Sequence, residues 1–216
     1  MHILNLITKY LIFLVIIFSL NLKVFGQELI DDIEVIGISP LPGIEIDRNK
    51  VPNASQSLQE IDMNNSTATT IVDLLGEKLT GVTIKDVQNS PFQKNLDYRG
   101  FTAAPLLGES QGLAVYLNGT RINEGFGDTL QWELVPEAAL TNIDLMSANP
   151  VFGLNALGGS LALTTKKGLD YLNTDSSIEN HFEVGGADWV NGNIELGAGT
   201  ETQGLYVAME NSYDGG

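Results

Sequence analysis

Residues 143–166 constrain the fold more than any other part of the chain. They indicate a short apolar strand, a turn opened by Asn149-Pro150, a loop of small residues and a second strand of alternating pattern. Pro150 biases Asn149 away from helical geometry, so the first strand is expected to end there. The pair Gly158-Gly159 permits positive φ or a very close backbone approach. The segment therefore predicts a tight β-loop-β unit.

The composition is that of an acidic globular chain without cysteine. Of its 216 residues 43% are hydrophobic, and this supplies enough apolar side chain for a packed core. Lys9 and Lys23 are two of the 11 basic residues, so residues 27–216 set nine basic side chains against all 27 acidic ones. This balance argues against a nucleic-acid partner, because phosphate binding needs a basic face. Without cysteine there is no disulfide, no thiolate metal site and no cysteine nucleophile.

The first 26 residues have the layout of a secretory signal peptide. Lys9 precedes an apolar run from Tyr10 to Leu20, and Val24-Phe25-Gly26 offers small-residue character at a cleavage point before Gln27. The alternative is a membrane-spanning helix, but that needs about 20 apolar residues and this run is shorter. We therefore expect the chain to be exported.

A helix followed by strands is expected after residue 66. Ser66 or Thr67 can cap the helix, and Gly81 suits its C-terminal end. Apolar residues at helical spacing are Ile71, Leu74, Leu75 and Leu79. A strand is expected at residues 82–84, and a second one ends near Arg99-Gly100.

A hairpin and a second short helix are expected farther along. Asn118-Gly119 lies between two alternating strands in residues 113–122, and a type I′ turn requires positive φ at both of its central residues. Pro136 can open a short helix over residues 136–140. Residues 66–167 thus predict a small α+β domain.

The last forty residues alternate between apolar and polar side chains. Three such segments lie at 178–185, 193–198 and 205–213, separated by turn-rich residues 186–192 and 199–204. Strands that are apolar on one face and polar on the other suit a transmembrane β-barrel with lipid outside and water inside. An antiparallel meander in a soluble sandwich has the same period.

Residues 143–166 also resemble the closing signature of the plug domain of TonB-dependent outer-membrane receptors. In that signature an aromatic-glycine pair, a small-residue loop, a double glycine and a strand ending in threonine-lysine follow the first strand. The residues in these places are Phe152-Gly153, Gly158-Gly159 and Thr165-Lys166. Arg99-Gly100 and Asn118-Gly119 also resemble recurring plug features. The chain departs at residues 147–150, where many members carry arginine-glycine-proline, so a contact of that arginine is not carried over.

This resemblance implies an architecture and a function. It implies an α+β plug domain, a small mixed sheet with short helices, followed by the start of an antiparallel transmembrane β-barrel. Residues 1–26 would be the signal peptide, 27–52 a tether, 53–168 the plug and 169–216 the first barrel strands. The implied function is uptake of a scarce nutrient, such as an iron chelate or cobalamin, across the outer membrane of a Gram-negative bacterium. Neither a metal site nor a cofactor is implied.

The resemblance also implies a TonB box near the mature N-terminus. Such a box adds as a strand to a TonB-type periplasmic energiser protein, since an unpaired strand edge is a docking site. The matching residues are Asp32, Ile33, Glu34, Val35, Ile36, Gly37 and Ile38. An ordinary N-terminal linker is the alternative interpretation.

Ligand-facing plug loops are expected at residues 101–111 and 123–132, with the N-terminus in the periplasm. The candidate contacts are Phe101, Thr102, Asn123, Phe126 and Trp132. The same aromatic side chains could instead pack between plug and barrel wall. Arg99 could be a buried partner of carboxylates or a solvated strand-end arginine.

Enzymatic chemistry finds little support in the sequence. Residues 27–216 contain a single histidine, His181, and no Walker loop. Two other functions stay open: a free-standing exported binding module built on the plug fold, and an exported hydrolase that pairs carboxylates. Three strands cannot close a barrel, for which eight is about the minimum. We therefore expect the sequence to be a piece of a larger receptor.

Overall fold

The structure is a computed structural model. It describes residues 35–37, 45–47, 54–68, 70–87, 89–148, 152–153, 155–171, 177–185, 189–200 and 202–214. The chain divides into two compact units, Met1–Ile33 and Glu34–Gly216, and all described residues belong to the second unit. The predicted signal peptide lies outside the described residues.

Thirteen strands and two α-helices are present in the described part of the chain. In order they are β1 (Val35–Gly37), β2 (Glu45–Asp47), β3 (Ser55–Gln59), α1 (Glu60–Asn64), α2 (Ile71–Lys78), β4 (Val82–Lys85), β5 (Asn95–Tyr98), β6 (Phe101–Ala103), β7 (Leu113–Leu117), β8 (Thr120–Arg121), β9 (Leu140–Ser147), β10 (Gly159–Thr165), β11 (Ser177–Gly185), β12 (Trp189–Gly199) and β13 (Gly204–Asp214). Short 3-10 helices cover Trp132–Leu134, Glu137–Ala139 and Gly168–Tyr171. Among the described residues, none of the helices has the length and apolarity to cross a bilayer.

A five-stranded mixed sheet forms the centre of the fold. Its strand order is β3-β9-β10-β7-β8, with β10 parallel to β7 and antiparallel to β9. Leu161 of β10 lies in register between Leu145 of β9 and Val115 of β7, and all three are buried. Leu74 and Leu75 of α2 join the same apolar cluster. The core therefore lies between one face of the central sheet and helix α2.

The predicted helix begins later than its expected cap. Thr70 is the N-cap, and its hydroxyl accepts a hydrogen bond from the backbone N–H of Asp73 at 3.3 Å. The prediction of Ser66 or Thr67 is therefore wrong. Ser66 instead accepts a hydrogen bond from the backbone N–H of Ala68, which organises the turn ahead of the helix. Gly81 does adopt positive φ just beyond the helix, at +81°.

The predicted hairpin and the β-loop-β unit are confirmed. Asn118 and Gly119 both have positive φ, 49° and 80°, between β7 and β8. Gly158 and Gly159 are needed for close approach, not for positive φ. A Cβ on Gly159 would lie 2.5 Å from the carbonyl oxygen of Met146, and one on Gly158 would overlap the ring of Phe101. Because these two positions have no Cβ, the Met146 carbonyl and the Phe101 ring can approach the start of β10 closely.

A small antiparallel sheet of β4, β5 and β6 packs beside the central sheet. Arg99 and Gly100, with φ of 53° and 88°, form the turn from β5 to β6. The Arg99 side chain is exposed, and its guanidinium carbon lies 5.0 Å from the centre of the Tyr98 ring. Of the two interpretations of Arg99, the buried partner of carboxylates is wrong, and the solvated strand-end arginine agrees with its exposed side chain.

The last three strands form a separate antiparallel sheet, β11-β12-β13. The prediction of turn structure at 186–192 is wrong from residue 189 onward, because β12 begins at Trp189. Apolar residues on one face of β12 and β13 are exposed to solvent: Ile194, Leu196, Leu205, Val207, Met209 and Tyr213. On the opposite face Glu195 is only 7% exposed. The polar face of this sheet, not the apolar one, therefore lies against the rest of the protein.

Candidate functional site

Strand directions bring three loops to one end of the central sheet, which we call the loop end. The starts of the parallel strands β7 and β10 are in register there, at Leu113 and Gly159, and β9 finishes at Ser147 opposite Gly159. The segment after β8 returns to the same end. The described loop residues are 104–112, 123–131, 148, 152–153 and 155–158.

Asp128 ties two of these loops together. Its carboxylate lies 2.6 Å from the Arg121 guanidinium at the end of β8 and accepts a hydrogen bond from the Asn155 amide. Asp128 and Asn155 both have positive φ, 57° and 61°. Charge-assisted bonds of this kind hold their partners in a defined geometry. The loops are therefore positioned by a polar bridge across the loop end.

Asn123 belongs to the scaffold of the loop end. Its amide oxygen accepts a hydrogen bond from the backbone N–H of Val115 at 2.7 Å, and its amide nitrogen donates to the carbonyl of Leu113 at 3.0 Å. It also donates to the carbonyl of Asp128. These bonds extend the ladder of β7 beyond β8. The prediction of a ligand-facing Asn123 is therefore replaced by a structural role.

The predictions that Thr102 and Trp132 contact a ligand are also wrong. Thr102 is 5% exposed within β6, and Trp132 is 2% exposed. The Trp132 indole N–H donates to the carbonyl of Ala103 at 3.4 Å. Because both side chains lie in the interior of the fold, neither is available to a ligand at the loop end.

Among the described residues of the loop end, four apolar side chains are exposed, and we call them the apolar rim: Phe101, Leu107, Phe126 and Leu157. Phe126 is 79% exposed. Leu107 lies against Gly127, and Phe101 lies against Gly112 and Gly158. The rim therefore includes two of the predicted contact residues, Phe101 and Phe126. Leu157 is the chain neighbour of Gly158, and Phe126 is the chain neighbour of Gly127, so each phenylalanine of the rim has a leucine nearby.

Phe152 and Gly153 of the predicted motif support the loop end from inside. Phe152 is buried, and its carbonyl accepts a hydrogen bond from the Tyr116 hydroxyl. The centres of the two rings are 5.6 Å apart. Gly153 has a φ of 75°. The aromatic-glycine pair thus anchors the loop to β7 and turns it toward β10.

A second polar cluster lies at the opposite end of β10, where the central sheet meets the last sheet. The Lys166 ammonium is 2.6 Å from the Glu195 carboxylate and 3.0 Å from the Glu60 carboxylate. The Tyr206 hydroxyl donates a hydrogen bond to the Glu195 carboxylate at 2.8 Å. Burial alone would lower the pKa of Lys166, but the hydrogen bonds to Glu195 and Glu60 and their charges outweigh it and raise this pKa above its ordinary value. The rings of Tyr171 and Tyr206 stack beside the cluster, 5.9 Å apart.

Neither a metal centre nor a catalytic group stands out in the part of the chain that the structure describes. No set of three or more histidine, cysteine, aspartate or glutamate side chains is placed there to hold a metal. A cavity of about 630 Å³ lies between the start of α2, residues 90–93, residues 132–137 and Glu210. It is separate from the apolar rim.

Of the predicted TonB box, the described residues are Val35–Gly37, which form β1. Asp32, Ile33, Glu34 and Ile38 lie outside the described residues. β1 pairs with β2 in a two-stranded ribbon, and among the described residues this ribbon joins no other sheet.

Comparison with known proteins agrees with this geometry. Residues 47–160 match the family model described as TonB-dependent Receptor Plug Domain, which is more than half of the chain. No curated protein sequence matches the chain. The fold is similar to that of the alcaligin outer-membrane receptor FauA from Bordetella pertussis, with a TM-score of 0.56 and 13% identity over 82% of this chain. It is also similar to the pyoverdine receptor FpvA from Pseudomonas aeruginosa PAO1, with a TM-score of 0.59 and 15% identity over 79% of this chain. The chain spans 29% of FauA and 24% of FpvA.

Proposed function

The chain belongs to the TonB-dependent receptor plug-domain family, and we propose that it serves an outer-membrane receptor that takes up a scarce nutrient by energy-coupled movement of the plug. In this proposal residues 27–52 are the tether, 53–168 the plug and 169–216 the first strands of a transmembrane barrel. FauA is an outer-membrane receptor for alcaligin, and FpvA is an outer-membrane receptor whose structure holds pyoverdine. An iron chelate, cobalamin or a similar compound is therefore the ligand class we propose.

The observation that carries the proposal is the inverted burial of the last sheet. In a soluble sandwich the apolar face of β12 and β13 would pack on the core and the polar face would meet water. Here Ile194 and Met209, paired across the two strands, are exposed, whereas Glu195 is buried against Lys166. Apolar outside and polar inside is the arrangement of a membrane barrel. Outer-membrane lipid is the partner that would cover the exposed face.

The apolar rim is the ligand-contacting surface in this proposal. Phe126 and Leu157 offer apolar contact on loops that Asp128 fixes in place. A pre-positioned surface loses less conformational freedom on binding than a mobile one. The loop end would face the outside, and the opposite end of β10, with Lys166, would face the periplasm.

Energy coupling requires the tether. The outer membrane has no ATP supply, so a TonB-type periplasmic protein would pair with the box at residues 32–38 and pull on the plug. Backbone pairing of an extended segment with a sheet edge is an established mode of peptide recognition.

The test separates ligand binding from transport in cells that carry the complete receptor gene. Deletion of residues 32–38 is expected to leave binding of radiolabelled ferric chelates or cobalamin at the cell surface intact and to abolish their uptake. The double substitution Phe126→Ala and Leu157→Ala is expected to weaken binding. The control is Ile61→Ala on α1, at an apolar residue as exposed as Leu157, and it is expected to leave binding unchanged. Uptake that persists without residues 32–38 would contradict the energy-coupled mechanism.

A further inference from the structure

The cavity of about 630 Å³ has walls from four parts of the chain. They are the start of α2, residues 90–93, residues 132–137 and β13 at Glu210. A volume of this size lies in the range that holds small organic molecules. The cavity is therefore a candidate binding site in addition to the apolar rim.

Polar contacts hold the walls of the cavity in place. The Lys94 ammonium lies 2.7 and 2.8 Å from the two carboxylate oxygens of Asp73, so the loop ahead of β5 is tied to the first turn of α2. The Thr70 hydroxyl donates a hydrogen bond to the same carboxylate at 2.8 Å. The Trp132 indole N–H donates to a backbone carbonyl of β6 at 3.4 Å. Walls fixed in this way lose little conformational freedom when a ligand enters.

Several of the lining residues are apolar. Ile71 and Val72 of α2 are buried, as is Trp132. Phe92 is half-buried and Leu134 is 75% exposed, so solvent reaches both. A lining that combines apolar side chains with a few polar ones is typical of small-molecule sites. The cavity therefore suits a ligand with an apolar body.

The charged residues of the lining all have the same sign. Glu133, Glu137 and Glu210 are acidic, and among the described residues that line the cavity there is no lysine, arginine or histidine. The start of α2 would by itself favour an anion, but Asp73 already supplies a carboxylate to its first turn. The charge of the lining therefore favours a cation.

An organic cation fits this lining better than a metal ion. A hard metal ion needs several oxygen ligands that converge on one point, and in the part of the chain that the structure describes no three acidic or histidine side chains form such a set. An ammonium group on an apolar body can use separate carboxylates and the apolar walls at the same time.

We propose that this cavity binds an amphipathic organic amine, a molecule with an ammonium group on an apolar or aromatic body. The glutamates of the lining attract the ammonium group, and the body lies against the apolar walls. Glu137 precedes β9, whose first residue, Leu140, pairs with Thr165 at the end of β10. The site is therefore at the opposite end of the central sheet from the apolar rim. Binding there needs neither the tether nor the rim, so it goes beyond the proposed uptake and its failure would leave that proposal standing.

Titration calorimetry on the purified complete receptor tests the ligand class with three probes of one shape. Tryptamine carries an ammonium group, tryptophol a neutral hydroxyl and indole-3-propionate a carboxylate, each on an indole body. Tryptamine is expected to bind with a Kd on the order of 1 mM or tighter, and the other two about tenfold more weakly. Equal affinity for tryptamine and tryptophol, or no binding of tryptamine, would overturn the proposal.

Variants of the lining locate the binding. Ser90→Trp places a large side chain in the cavity wall and is expected to abolish tryptamine binding. Glu133→Gln combined with Glu210→Gln is expected to weaken it about threefold to tenfold, with a smaller difference at high salt. Glu109→Gln, at an exposed glutamate outside the lining, is the control and should leave the Kd unchanged.

Thermal unfolding of each variant shows whether the receptor is still folded. Unchanged tryptamine binding by a folded Ser90→Trp receptor would overturn the cavity as the site. Glu133 and Glu210 are both exposed, so their substitution tests the same point if Ser90→Trp does not fold. A Kd equal to that of Glu109→Gln in this double variant would also overturn the proposal.

Discussion

At the scale of single residues, polar side chains at the loop end hold the backbone in place. Asn123 has the residue type of a ligand contact, yet its amide group satisfies the backbone of β7 at Leu113 and Val115. Spacing along a sequence does not reveal such a role, because the bonds depend on how the loop folds back beside the strand.

Asn123→Ala is expected to destabilise the fold by about 1–3 kcal/mol, because the buried N–H of Val115 would lose its partner. Urea unfolding of the purified chain measures this change in free energy. Asn64→Ala, on the exposed side of α1, is the control and should change stability by less than about 0.5 kcal/mol. Equal stability of the two variants would contradict the scaffold role.

At the junction with the last sheet, the charge of Lys166 stabilises the buried carboxylate of Glu195. Lys166→Met would leave Glu195 buried without its ammonium partner, and breaking a buried pair in this way costs about 3–5 kcal/mol. We expect lower stability and faster proteolysis of residues 189–214 in this variant. The adjacent Lys167→Met is the control, because the Lys167 side chain is exposed.

The same contact predicts a pH dependence. The folded-state pKa of Lys166 is raised, so its stabilising contribution is complete below the unfolded-state pKa of about 10.4 and is lost as the pH rises through the folded-state pKa. Unfolding measured between pH 8 and 12 should show a smaller alkaline loss of stability in Lys166→Met than in the unmodified chain. Identical pH profiles would contradict this assignment.

At the scale of elements, the turn between β7 and β8 anchors the central sheet. The Asn118 side chain exchanges hydrogen bonds with Thr165 at the end of β10, and its backbone N–H donates to the carbonyl of Leu163. The turn therefore fixes the parallel register of β7 and β10 from its far end.

Gly119→Ala is expected to cost about 1–2 kcal/mol, because a side chain is strained at a φ of 80°. Thermal unfolding followed by circular dichroism measures the loss. Gly125→Ala serves as the control, since Gly125 lacks positive φ and a Cβ there would meet no neighbour within 4 Å. An unchanged midpoint for Gly119→Ala would show that the turn does not hold the register.

Local signals made some elements predictable and left others hidden. Asn118-Gly119 favours a turn with positive φ, and the double glycine permits a close backbone approach. Because these preferences belong to the residue types, the hairpin and the β-loop-β unit could be predicted from the sequence. β3, with the sequence Ser-Gln-Ser-Leu-Gln, has a single apolar residue and becomes a strand only because β9 offers an edge. The bridge from Asp128 to Asn155 joins residues far apart in sequence, so no local pattern shows it.

At the scale of the whole molecule, the exposed apolar face of the last sheet has a different role in each of two accounts. A receptor fragment presents its apolar strand face to lipid, whereas a free-standing binding module presents the same face to water. The buried contacts of Glu195 with Lys166 and Tyr206 agree with a polar barrel interior that meets the plug. Both accounts are compatible with the exposure of this apolar face. They differ in the effect that they predict for a charged side chain placed on it.

The measurement that tests this most directly is outer-membrane assembly of the complete receptor with Met209→Lys, at the middle of β13. Met209 is 68% exposed and Ile61 on α1 is 65% exposed, so Ile61→Lys is a matched control. A lysine at the lipid midplane costs about 2–4 kcal/mol, whereas on a water-exposed surface either substitution should change stability by less than about 0.5 kcal/mol. The account predicts that Met209→Lys lowers the amount of folded receptor in the outer membrane and that Ile61→Lys does not. Normal assembly of both variants would contradict the membrane placement of the last sheet.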